Sequence, residues 1–258
     1  MAGLLLRGMS ITTPYSGVWP VAPTPFTEDS EIDTEGMTRI LDCMIDQGVD
    51  GICILANFSE QFLLSDEERD CLTRLSLEHV SERVPVIVTA SHFATDIVVA
   101  RTKQAAELGA AMVMLMPPYH GALLRGTHDQ IAEQFTAAGE VGIPIMVQDA
   151  PLSGMDLPVD LLVRMAREIE AVKCFKIECA QAANKLRALI VAGGDAIEGP
   201  FDGEEGITLL ADLDAGHGPG KVGTSAHRTC PLVTPHTPGG ILRAGLLTDG
   251  AAASTFVR

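Results

Sequence analysis

The run Cys174-Phe175-Lys176-Ile177-Glu178 sets a lysine in the middle of an apolar segment. Strand geometry puts residues 174, 176 and 178 on one face and residues 175 and 177 on the other. Lysine is almost never buried unless it is paired or chemically employed. Two readings of Lys176 therefore stand side by side. Burial disfavours the ammonium form and leaves a neutral amine able to form a Schiff base with a carbonyl substrate. Alternatively, Lys176 neutralises Glu178 in a structural ion pair.

Other short runs rich in Val, Ile, Leu and Met lie on either side, at 17–22, 51–56, 85–90, 112–116, 143–148 and 196–198. None alternates polar and apolar residues along its length, which is how parallel strands buried on both faces read. Segments of helical spacing separate them, such as Met37, Ile40, Leu41 and Met44, or Leu162, Met165, Ala166 and Ile169. Ser65 with Glu68 reads as a capping box, Thr95-Asp96 as the next helix start, and Gly48 and Gly109 as helix ends. Repeated strand-helix alternation over this length predicts an α/β fold, a (β/α)8 TIM barrel, with an open doubly wound sheet as the competitor. The absence of a GxGxxG or P-loop after the first strand disfavours that competitor. In a barrel the working residues lie at the carboxy-terminal strand ends and the loops after them. Those positions are 56–60, 89–92, 117–120, 148–151, 176–178 and 198–202.

The chain has 258 residues, 47% of them hydrophobic, and a formal charge of −16. Nucleic acid and anionic membranes both call for a basic footprint that is missing, so a small molecule is the expected partner. Cys43, Cys53, Cys71, Cys174, Cys179 and Cys230 form no CxxC pair and read as reduced thiols of a cytoplasmic protein. The leucines in MAGLLLRGMS are too few for a signal peptide core. Composition changes at His217: residues 1–216 hold 33 of the 34 acids, and the remainder has one acid against four basic residues. Residues 1–15 are expected to form an extension, residues 16–216 the barrel, and residues 217–258 an irregular tail that leaves the eighth strand and last helices incomplete or perturbed.

The segments GVWPVAPTPF, ANFSE, MPPYHG, QDAPLSG, FKIE and EGPFDGEE together resemble the dihydrodipicolinate synthase / N-acetylneuraminate lyase family of Schiff-base barrels. The resemblance runs from about Ser16 to Gly216. It implies that Lys176 forms the imine and that Asn57, Phe58 and Ser59, with local backbone amides, hold the substrate carboxylate. It matches Tyr119 to a tyrosine often contributed across a subunit interface, and so implies a homodimer or homotetramer. The family's usual YNxP tyrosine falls on Gln148, which cannot transfer protons. That departure favours a dehydratase over a retro-aldol lyase or a synthase. The expected substrate is a 2-keto-3-deoxy sugar acid such as 2-keto-3-deoxy-L-arabonate, and the expected product a semialdehyde. Family members continue past Asp214–Gly216 with a further strand and helices; the altered composition there points to a changed reading frame and leaves a non-catalytic protein as another alternative.

Candidate bases are Glu178, His92 and Tyr119. Glu178 reads equally well as a partner that orients the lysine, and His92 as a structural histidine. Glu198, Gly199 and Asp202, with Glu204, are candidates for binding sugar hydroxyls, although acids near a helix start often only complement its dipole. The histidines show no HxH or HxxxH spacing, and the lysine-dependent reaction needs neither metal nor organic cofactor.

Overall fold

The computed structural model describes Tyr15 and residues 17–118, 126–155, 157–203 and 230–231. Helices and strands alternate as α1 (Thr34–Asp46), β1 (Ile52–Ile54), α2 (Asp66–Val80), β2 (Val86–Thr89), α3 (Thr95–Glu107), β3 (Met112–Leu115) and α4 (His128–Gly139). They continue as β4 (Ile145–Asp149), α5 (Val159–Glu168), β5 (Val172–Ile177), α6 (Ala182–Gly193), β6 (Gly199–Asp202) and β7 (Cys230–Pro231). Every neighbouring strand pair is parallel, and the strands lie in chain order. A doubly wound sheet reverses its order at a switch point. The uninterrupted order here is that of a TIM barrel.

The run at 17–22 joins the same sheet as an extended segment, with a single parallel bridge from Val21 to Cys53. Ala22 N–H donates to Cys53 O, and Cys53 N–H donates to Pro20 O, both at 2.8 Å. Among the described residues no pairing joins this segment to β7, so the described part of the barrel is open on that side.

Side-chain alternation builds two apolar layers. Cys53, Ile87, Met112, Met114, Met146, Cys174 and Phe201 face inward, with Trp19 lying edge-to-face on Phe201 at 6.2 Å. Val86, Val88, Val113, Leu115, Ile145, Val147, Phe175 and Ile177 face outward beneath the helices. This double burial is why the strand segments read as unbroken apolar runs. The helices supply the complementary stripes: Met37 and Leu41 of α1 are buried, and Ile40 and Met44 pack beside them. Phe135 of α4 is fully buried, and its truncation to Ala would cost about 3–5 kcal/mol. The Ser65–Glu68 capping box starts α2, and Gly48 and Gly109 follow α1 and α3 with φ of 78° and 90°.

One expectation is corrected. Residues 194–196 form a 3-10 turn, and the strand begins at Gly199, three residues later than the apolar run suggested. The bare Cα of Gly199 makes room for Cys174, since a Cβ there would lie 2.6 Å from its Sγ. In the tail, expected to be irregular with an incomplete or perturbed eighth strand, Cys230 and Pro231 pair with Phe201 and Asp202 over two residues. A proline is compatible with a strand this short at a sheet edge. Among the described residues no helix is long and apolar enough to cross a membrane.

Candidate active site

Strand pairing places Gln148, Lys176 and Phe201 side by side on β4, β5 and β6. Lys176 is 2% exposed. It faces the interior near the carboxy-terminal end of the sheet, two residues above Cys174. Its ammonium lies in an ion pair with the Glu178 carboxylate, whose side chain is 13% exposed. The electrostatic influence of Lys176 reaches Cys53 on β1: burial pushes that thiol up to about 11, and Lys176 and Thr89 partly oppose the shift. The lysine therefore stands inside the barrel, close to the strand that leads into residues 56–60.

Gln148 completes the cluster. Its Nε2 donates to both Glu178 carboxylate oxygens, at 3.2 and 3.3 Å. Its Oε1 is buried and accepts no hydrogen bond among the described residues. Glu178 is also held from the backbone, its N–H donating to Asp149 O at 2.9 Å. Gly203 leaves space for the carboxylate arm; a Cβ at that position would fall 2.1 Å from Glu178 Cγ.

The loop after β1 is a 3-10 turn, Asn57–Ser59, closed by Glu60 in the left-handed region. Ser59 shapes this turn from within. Its Oγ accepts from Ala56 N–H at 3.1 Å and donates to Ala22 O at 2.7 Å, while Thr24 Oγ1 donates to Ser59 O at 2.9 Å. The Asn57 side chain accepts from Gln61 Nε2 at 2.5 Å, and Phe58 is 58% exposed. Arg69 ties this loop to the end of β2 by donating to Gln61 O and Thr89 O, at 2.9 and 2.6 Å. Burial, with help from the Arg101 charge, lowers its guanidinium to about 10.

His92 sits apart from the lysine cluster. Its Nδ1 accepts from Ala94 N–H at 3.0 Å and its ring meets Phe93 edge-on; among the described residues it makes no hydrogen bond to Lys176 or Glu178. Burial and the Arg101 charge lower its pKa below the ordinary value of 6.5. Glu198 was placed among the strand-end groups, and the structure corrects this. It precedes β6 at the end remote from Lys176, where its N–H donates to Lys173 O and its carboxylate pairs with Lys173 at 2.8 Å. The three-residue shift of the strand accounts for the error. Gly199 lies opposite Cys174, below the level of Lys176. Tyr119, Glu204 and the Asp202 side chain lie outside the described residues. Among those described, no group of three His, Cys, Asp or Glu side chains gathers as a metal site.

Sequence reasoning missed Gly203, Asp149, Lys185 and Arg69. Gly203 was within reach, because 199, 201 and 203 fall on one strand register. The others act through contacts between distant segments, for which local spacing carries no signal.

The dihydrodipicolinate synthetase family model matches residues 14–211. An L-2-keto-3-deoxyarabonate dehydratase from Azospirillum brasilense is 60% identical over 208 residues, covering 80% of this chain and 67% of that protein. Against two further curated relatives the chain covers 54% and 66% of their length. Among solved structures, a dihydrodipicolinate synthase from Bacillus anthracis superposes with a TM-score of 0.72 at 27% identity, covering 83% of this chain and 72% of that one. YagE of Escherichia coli K12, solved in complex with pyruvate, gives a TM-score of 0.75 at 22% identity over 93% of this chain and 78% of its own, a likeness of fold alone. With a buried strand lysine at the barrel interior and a family match over most of its length, the chain belongs to the dihydrodipicolinate synthetase family.

Proposed function

We propose that this protein is a hydro-lyase that converts 2-keto-3-deoxy-L-arabonate to 2-oxoglutarate semialdehyde through a Schiff base on Lys176. The observation that carries the reading is a buried amine in contact with a carboxylate that Gln148 holds, in a chain 60% identical over 208 residues to a dehydratase of that substrate.

Lys176 Nζ, after passing a proton to Glu178, attacks the C2 ketone, and loss of water leaves an iminium. That cation draws electrons from the adjacent C3–H bond. Glu178 removes the C3 proton, and the resulting enamine expels the C4 hydroxyl, which leaves as water with a proton returned by Glu178. A second proton loss, at C5, and tautomerisation form the aldehyde; hydrolysis of the imine then frees Lys176. General acid–base catalysis of this kind contributes about 10²- to 10⁴-fold. Glu178 is favoured over His92 because it alone of the two touches Lys176 among the described residues. Tyr119 remains a candidate from the resemblance.

The substrate carboxylate would lie at Asn57 and Phe58, where the first amides of a turn lack partners within it. Ser59 supports this subsite by fixing the turn, since its hydroxyl is engaged with Ala56 and Ala22. The unpartnered Gln148 Oε1 suits a substrate hydroxyl as donor. No metal or organic cofactor enters these steps. A cytoplasmic homodimer or homotetramer accompanies the reading, supported by the exposed Phe58, Phe62, Leu63 and Phe93.

Product analysis tests the reaction. Incubation with 2-keto-3-deoxy-L-arabonate should yield the semialdehyde; pyruvate with glycolaldehyde would instead establish retro-aldol cleavage and overturn the dehydratase reading.

A further inference from the structure

The lysine cluster is backed by a second, partly buried ion pair that takes no part in the proposed chemistry. Lys185 Nζ lies 2.7 Å from Asp149 Oδ2, with the two side chains 16% and 4% exposed. Asp149 is the last residue of β4, directly after Gln148, and it pairs in register with Ile177. Alternation turns Gln148 inward to the lysine and Asp149 outward beneath the helices. Lys185 belongs to the first turn of α6, four residues after Gln181.

That position is a poor one for a lysine by the usual rules. The positive end of the helix dipole disfavours a cation in the first turn. A buried pair is also weak grounds for stability, because its desolvation cost rivals the attraction gained. Its geometry, however, serves the site. Asp149 grips the segment between β5 and α6 at both ends, through its backbone oxygen to Glu178 N–H and through its carboxylate to Lys185. Between those two anchors the chain passes Gln181, in the left-handed region, and enters α6 without a side-chain N-cap. An unanchored segment of this kind would let Glu178 drift from Lys176, and displacement of about 1 Å at a reacting group can cost 10²-fold in rate.

We infer that Asp149 and Lys185 form a positioning pair that holds Glu178 against Lys176 from behind the sheet. This inference rests on the proposed Schiff-base dehydration. The pair touches no substrate; it acts through the segment that carries Glu178. Its loss lowers turnover while leaving substrate binding at the loop after β1 intact.

The test compares the full chain with its Lys185→Met, Lys185→Arg and Asp149→Asn variants, assayed with 2-keto-3-deoxy-L-arabonate, with circular dichroism and urea unfolding as checks on the fold. Lys185→Met and Asp149→Asn should lower kcat by about 10- to 100-fold with KM within threefold of the parent. Lys185→Arg, which keeps a cation within reach of Asp149, should recover most of the loss. Folded Lys185→Met and Asp149→Asn proteins with parental kcat would overturn the inference. So would a failure of both to fold, which would assign the pair to stability. Failure of the dehydratase reading would look different, as the parent chain itself would then form no semialdehyde.

Discussion

Gln148 and Lys176 occupy matched positions on neighbouring strands, and both meet the same carboxylate, that of Glu178. The amide therefore stands where it can orient the group next to the amine without competing for its protons. A tyrosine hydroxyl in its place would add a titratable proton to the cluster.

Replacing Gln148 separates stability from turnover. Its Nε2 bonds to a charged acceptor contribute about 1.5–3 kcal/mol, while its unpartnered buried Oε1 costs about 1–3 kcal/mol. These terms offset, so Gln148→Leu should change unfolding free energy by less than about 1 kcal/mol. Turnover should fall at least about tenfold, because Glu178 loses its lateral hold. Urea unfolding and steady-state kinetics on one preparation check both statements; a stable variant with parental kcat would contradict them.

Gly203 is predicted to be a site residue through the space it leaves. The Cβ of a Gly203→Ala variant would meet Glu178 Cγ at 2.1 Å, so the carboxylate arm must move. We expect an intact fold with kcat reduced by about tenfold or more. Parental kinetics in that variant would show that the arm has room to spare.

His92 contributes to acid sensitivity. Its folded pKa is lowered by burial and by Arg101, and its Nδ1 accepts the Ala94 N–H, which requires that nitrogen to be unprotonated. The unfolded chain gains a proton near 6.5 while the folded chain resists, so this contribution is complete above that pH and is lost as pH falls through the window below it. An Asn at position 92 keeps a local acceptor without the titration. Between pH 7 and pH 5 the urea midpoint should fall less for His92→Asn than for the parent; equal falls would remove His92 from the account.

The barrel and its lysine were legible in the sequence because both are local. Parallel strands buried on two faces write apolar runs, and a lysine inside one of them is conspicuous. Glu178 was legible for the same reason, two residues along one face. What escaped was the product of long-range packing. The start of β6 was misplaced because Ala196–Glu198 was itself taken as the apolar run, whereas the strand lies at Gly199–Asp202, and with it Glu198 was assigned to the wrong end of the sheet. The Asp149–Lys185 pair joins residues 36 positions apart on β4 and α6 and has no local periodic signal. The partners of the Ser59 hydroxyl, Ala56 and Ala22, are set by the fold and left no signal in the sequence.

Reductive trapping on Lys176 tests the central claim most directly. Treatment of the full chain with pyruvate and borohydride should add one reduced pyruvyl group, located by peptide mass analysis on Lys176, and Lys176→Met should abolish it. A folded protein that gains no mass, or gains it at another lysine, would contradict the account.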